Sequence, residues 1–132
     1  MPRIMGEFNL MHWDERPYDK ASGQPTLTHA AVTHELKGDI EGEVSISYLM
    51  GYASNGAARF VGLARVTGRV AEREGTFVMQ DEGTFENGVA KGRWTILPGL
   101  GSGELAGIRG DGHFAAASDS ASYMLDVELE LE

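Results

Sequence analysis

The chain has 132 residues, 20 acidic against 11 basic side chains for a net charge of −9, and no cysteine. That length suits one domain, residues 1–132, with a single core. The missing thiols exclude a disulfide frame or a thiolate metal site, and the acidic excess repels a phosphate backbone, so no nucleic-acid partner is expected. No apolar run is long enough for a membrane helix and MPRIMGEFNL lacks a basic region followed by an apolar stretch, so the expectation is a soluble cytoplasmic protein with no membrane partner.

In chain order, apolar residues alternate with period two over about residues 4–13, 26–37, 43–53, 57–71, 76–86, 89–98, 103–114 and 121–131. No sustained helical stripe interrupts them. The last run is the plainest: Tyr123, Leu125, Val127, Leu129 and Leu131 share one face, and Asp126, Glu128 and Glu130 share the other. Eight strands with short connections predict an all-β fold, an eight-stranded antiparallel up-and-down barrel whose closure removes exposed sheet edges. The longest connection, DERPYDKASGQP, reads as a loop over one barrel end. It opens with Trp13, Asp14 and Glu15 and continues through Pro17 and Tyr18, either as a lid over a cavity mouth or as a structural corner.

The turns propose a register. Asn87-Gly88 fits the two positive-φ positions of a type I′ hairpin, which sets Phe85 opposite Ala90, Gly83 opposite Gly92, Asp81 opposite Trp94 and Met79 opposite Ile96. A loop at Ser54-Asn55-Gly56 sets Met50 opposite Phe60, Tyr48 opposite Gly62 and Ile46 opposite Ala64. A loop over Glu72 to Gly75 sets Val66 opposite Asp81, and one over Gly99 to Ser102 sets Leu105 opposite Ile96 and Gly107 opposite Trp94. In this frame Gly62, Gly83, Gly92 and Gly107 face large inward side chains, because a narrow barrel has room for one bulky residue of each pair. The glycine-rich GSGELAGIRG is therefore a packing device. It lacks the GK[ST] ending and following helix of a phosphate loop, and no cofactor is expected.

The inward face carries polar groups among the apolar ones. Tyr48, Asp81 and Arg109 are expected to point in, with His34, His12, Trp94 and Tyr123, except that a bulge in MHWDER would reverse His12 and Trp13. An unpaired buried carboxylate is costly, so Asp81 is read in two ways. Either it is a general acid or base in an apolar cavity, with Tyr48 or Arg109 holding a substrate oxygen, or it closes a buried ion pair with Arg109. His29 and His34 fall on opposite faces and His113 gathers only Asp111, so no metal site is expected. Outward Val61, Leu63 and Val78 form an apolar strip that suggests a homo-oligomer.

Several segments, in order, carry a resemblance: WDERPYD, GDIEGEVSISYLMGY, FVGLARVTG, GTFENGVAKGRWTILPGLGSGELAGIRG and YMLDVELE. They resemble a family of small bacterial proteins of unknown function within the allene oxide cyclase-like barrel group, and GSGELAGIRGDGHF is similar to the glycine strand shared with dirigent-like barrels. The resemblance covers about residues 6–130 and implies an eight-stranded antiparallel barrel. It transfers no activity, since function lives in the site. Relatives of that family often carry glutamate where this chain has Ala64 and histidine where it has Asp81.

Three functional readings follow. The first is a barrel that binds a small hydrophobic molecule among Tyr48, Asp81, Trp94, Arg109, His34 and Tyr123. The second is an isomerase or cyclase acting on a hydrophobic substrate through Asp81, Tyr48 and Arg109. The third is a packed oligomeric interaction module without ligand, which a filled barrel interior would favour.

Overall fold

The computed structural model describes residues 3–20, 22–117 and 120–129. It has nine strands: β1 Arg3–Asp19, β2 Thr26–Gly38, β3 Ile40–Tyr52, β4 Ala58–Val70, β5 Arg73–Glu86, β6 Val89–Ile96, β7 Ser102–Gly103, β8 Ile108–Ala116 and β9 Ala121–Leu129. All pairings are antiparallel. Eight strands close into a barrel in the order β1-β2-β3-β4-β5-β6-β8-β9 and back to β1, while the short β7 bridges to the start of β5. Among the described residues no helix is long and apolar enough to cross a membrane.

The register rows explain the interior. One row reads Tyr48, Gly62, Asp81, Trp94, Gly112, Leu125 and Ile4 around the barrel. A row nearer one rim reads Tyr52, Ala58, Phe85, Ala90, Ala116 and Ala121. Large and small residues thus alternate across neighbouring strands, as a small closed barrel demands. Towards the opposite end Leu36, Ile40, Val44, Val66, Phe77, Ile96 and Leu125 pack together as buried side chains.

Two expected registers hold. The Asn87-Gly88 hairpin has φ of 53° and 78° at its two positions, and Phe85, Gly83, Asp81 and Met79 pair with Ala90, Gly92, Trp94 and Ile96. The β3–β4 pairs Met50 with Phe60, Tyr48 with Gly62 and Ile46 with Ala64 also hold.

Two are corrected. The β4–β5 connection is a two-residue turn at Ala71 and Glu72, which take the positive φ (50° and 66°) usually left to Gly or Asn. Asp81 therefore stands opposite Gly62 and not Val66. A shift of four residues preserves the faces, so Asp81 still points in. The β6–β8 connection is longer than expected, and GSGELAGIRG is not one strand. Ser102 and Gly103 pair with β5, residues 104–107 turn, and β8 starts at Ile108. Ile96 pairs with Gly110 and Trp94 with Gly112, five residues from the expected alignment, and an odd shift exchanges the two faces.

Arg109 is the consequence. It points outward, pairs in register with Glu128 and makes a 3.5 Å ion pair with it. Gly107 lies in the turn, and Gly112 takes its expected place beside Trp94, where an added Cβ would run into the Met124 carbonyl and Leu125 Cα. Leu105, carried by the glycine-rich turn, is fully buried and closes the filled end.

The polar stretch DERPYD is strand as far as Asp19, not loop. A bulge at Met11 shifts the pairing between Leu10 and His12, which turns Trp13, Glu15 and Pro17 to the face of Val32, Ala30 and Thr28. His12 is accordingly exposed on the outside, opposite to the expectation. Val78 points outward but is buried: the stretch after β6 lies over it, with Leu97 N–H donating to the Val78 carbonyl at 2.9 Å. Val61 and Leu63 stay exposed, joined by Leu49. Glu130 and Leu131 lie outside the described residues.

Candidate functional site

The alanine-rich rim row leaves the barrel unfilled at that end. A cavity of about 240 Å³ remains, walled by aromatic side chains from six strands, with Trp13, Tyr52 and Phe85 towards the mouth and Phe8, Tyr48 and Phe114 deeper. A wider groove of about 460 Å³ runs along the outer surface past Tyr18, Leu49 and Val61. It is open and shallow although Arg59, Glu82 and Thr84 line it, so the more enclosed, aromatic-walled interior cavity is the better site for an apolar ligand.

Asp81 lies beneath the cavity wall and is fully buried. Its Oδ2 accepts the Tyr48 hydroxyl at 2.7 Å and Trp94 Nε1–H at 3.1 Å, while Oδ1 has no partner. Gly62 makes this contact feasible. It stands between Tyr48 and Asp81 in the row, and with no side chain of its own it leaves the phenol free to reach across one strand. Burial drives the Asp81 pKa up to about 6, against the opposing pull of the Tyr48 and Trp94 hydrogen bonds. Burial and the Asp81 charge together push the Tyr48 hydroxyl well above its ordinary range. Among the described residues no Lys, Arg or His forms an ion pair with Asp81, so the expected Asp81–Arg109 pair is replaced by Tyr48 and Trp94 as neutral donors.

A second carboxylate guards the rim. Glu15 accepts Trp13 Nε1–H at 3.0 Å, the Thr28 hydroxyl at 2.6 Å and the Tyr52 hydroxyl. Partial burial opposes ionisation, but these three donors outweigh it and hold the Glu15 pKa below the usual carboxylate value. The two acids are therefore driven in opposite directions, a divergence typical of sites where carboxylates serve different tasks.

The remaining expected site residues separate. His34 lines the cavity, packs edge-on against Phe8 (ring centroids 5.0 Å apart) and bonds the backbone of Asn9, leaving Nδ1 unpartnered; burial lowers its pKa. Trp94 lies one layer below, stacked between Phe114 and Tyr123 at 5.3 and 5.6 Å. Tyr123 is committed to the β2–β3 turn: its hydroxyl accepts from Ile40 N–H at 3.0 Å and donates to the Lys37 carbonyl at 2.8 Å. Neither lines the cavity. Glu15 and Tyr52 were not among the expected site residues. The signal for Glu15 lies in the alternation Trp13, Glu15, Pro17 against His12, Asp14, Arg16, which the polar composition of DERPYD conceals.

These features define a class: a small closed antiparallel β-barrel, packed at one end and hollow at the other, with a buried acid beneath an aromatic cavity. The chain belongs to the family described as "Protein of unknown function (DUF3224)", which matches residues 4–127. A crystal structure of a protein with unknown function from the same family, from Shewanella oneidensis MR-1, superposes with a TM-score of 0.82 at 24% identity. The match covers 100% of this chain and 99% of that chain, and it shows the shared fold. No curated protein matches the chain.

Proposed function

We propose that the chain binds a small hydrophobic molecule in the cavity at the hollow end of the barrel. The observation that carries this reading is the cavity itself, about 240 Å³ with aromatic walls, in a barrel whose other end is filled. A dry apolar cavity of about 150 Å³ holds a benzene, so the volume suits a compound of one ring with a short side chain. Apolar walls with few convergent polar groups are the usual make-up of a ligand site. The reading of a packed module without ligand loses its main support, because Trp94, Tyr48, Phe60 and Phe85 do not fill the interior.

A second reading, an isomerase or cyclase acting on a hydrophobic substrate, is favoured by one observation. Tyr48 lines the cavity and donates to Asp81, so as a proton from a bound molecule reaches the Tyr48 oxygen, the hydroxyl proton passes on to the buried carboxylate. Tyr48 is the contacting group in this reading and Asp81 positions and charges it; Arg109, on the outer face, has no part. Unchanged turnover of an identified substrate by Asp81→Asn contradicts it. We also read the fold as one of the allene oxide cyclase-like group, on the strand count and the glycine-lined interior. A homo-oligomer is supported by the exposed outward Leu49, Val61 and Leu63.

Native mass spectrometry tests the binding reading, on freshly purified protein and again after incubation with toluene. The expected outcome is one small-molecule mass per chain in at least one of the two samples, together with the subunit number. A bare chain in both contradicts it.

A further inference from the structure

Most polar hydrogens of the cavity wall are spent. Only four lining side chains carry any: Trp13, His34, Tyr48 and Tyr52. Trp13 Nε1–H and the Tyr52 hydroxyl go to Glu15, and the Tyr48 hydroxyl goes to Asp81. The His34 ring interacts with the Asn9 backbone and leaves Nδ1 unpartnered. What the wall offers a guest is therefore mainly ring faces and the lone pairs of the tyrosine oxygens, with the His34 ring as its one polar group not bound to a carboxylate.

The charges point the same way. Two carboxylates, Asp81 below and Glu15 at the rim, are bound directly to the lining aromatics, and no Lys or Arg is part of the lining. A tyrosine or tryptophan that donates its hydrogen to an anion gains electron density in its ring, which strengthens attraction for a cation over its face. Buried Asp81, with Oδ1 unpartnered, has no countercharge among the described side chains. The chain's net charge of −9 adds a field that draws cations towards it and repels anions.

We propose that the cavity selects an organic cation, an ammonium carried on a one-ring apolar body, and rejects carboxylates of the same size. The inference rests on the cavity being the ligand site. In this arrangement the ammonium sits among the faces of Trp13, Tyr48 and Phe60, supplies the charge that Asp81 and Glu15 lack, and can donate to the Tyr48 oxygen. A carboxylate guest meets two like charges and no Lys or Arg, so fatty-acid-type ligands are excluded by the same wall.

The experiment is isothermal titration of the full chain at pH 7.5 with three compounds of nearly one shape: phenethylammonium, 2-phenylethanol and phenylacetate. The cation is expected to bind at least about tenfold more tightly than the alcohol, and phenylacetate more weakly than either. In the Asp81→Asn and Glu15→Gln variants, each an isosteric neutral replacement, the cation-to-alcohol affinity ratio is expected to fall. An alcohol that binds as well as the cation, or phenylacetate as the best ligand, overturns the cation proposal and leaves the cavity as a binding site. Failure of all three compounds overturns both.

Discussion

The two ends of the barrel use the same inward alternation and reach opposite results. At the filled end the inward positions carry branched or long apolar side chains, and Leu105 enters from the glycine-rich turn to close what the strands leave. At the hollow end the outermost row is Tyr52, Ala58, Phe85, Ala90, Ala116 and Ala121, so four of six positions cannot reach the axis. The same contrast runs through polar groups. The filled end spends the Tyr123 hydroxyl on backbone groups of the β2–β3 turn, whereas the hollow end gathers Glu15 and, one layer down, the buried Asp81. One end supplies stability, and the other gives some of it up to keep a cavity and a desolvated acid.

The largest expected effect breaks the filled end. Phe77→Ala, at a fully buried position, should cost about 3–5 kcal/mol in denaturant unfolding. Phe85→Ala at the hollow end, where the ring is 40% exposed, should cost about 1 kcal/mol or less. Equal losses would erase the distinction between the ends. Leu105→Ala comes next, at about 2–4 kcal/mol, and tests whether the glycine-rich turn is part of the core.

The acid beneath the cavity gives a pH signature of intermediate size. Folded Asp81 holds its proton up to about pH 6, against an ordinary value of 3.8, so folding binds a proton between those limits. Its contribution is therefore most favourable below about pH 4, declines as pH rises to about 6 and is flat above. The shift corresponds to about 3 kcal/mol. Subtracting the stability–pH profile of Asp81→Asn from that of the wild type should expose this slope. A flat difference would mean that Asp81 is solvated. His34 acts in the opposite sense, since its lowered pKa costs stability as pH falls below 6.5, and the subtraction removes it.

The smallest effect belongs to Arg109→Ala. An exposed ion pair with Glu128 at 3.5 Å should be worth under about 0.5 kcal/mol, and ligand affinity should not change. A large loss of affinity would return Arg109 to the interior and reverse the β6–β8 register.

Much of this was legible because parity survives some errors and not others. Asn87-Gly88 announces its turn chemically, and from it follow the Asp81–Trp94 pairing and the inward acid. Ala71-Glu72 adopts a glycine-type turn without glycine, yet the resulting shift is even and harmless to the faces. The shift in β6–β8 is odd, which turned Arg109 from an inward partner of Asp81 into a surface residue. MHWDER leaves a bulge open without marking its position chemically, so the inward turn of Trp13 and Glu15 follows only from the β1–β2 pairing. The hydrogen bonds joining Tyr48 to Asp81 and Tyr52 to Glu15 depend on side chains crossing between strands, which alternation alone does not encode.

The most direct test of the hollow end as the binding end is a ¹⁵N-resolved NMR titration of the chain with 2-phenylethanol. Saturable shifts are expected at the Trp13 indole N–H and at backbone amides around Tyr48, Phe85, Ala90 and Phe114, with Phe77, Leu105 and Ile108 unmoved. Shifts restricted to the outer face around Leu49 and Val61, or none at saturating ligand, would contradict it.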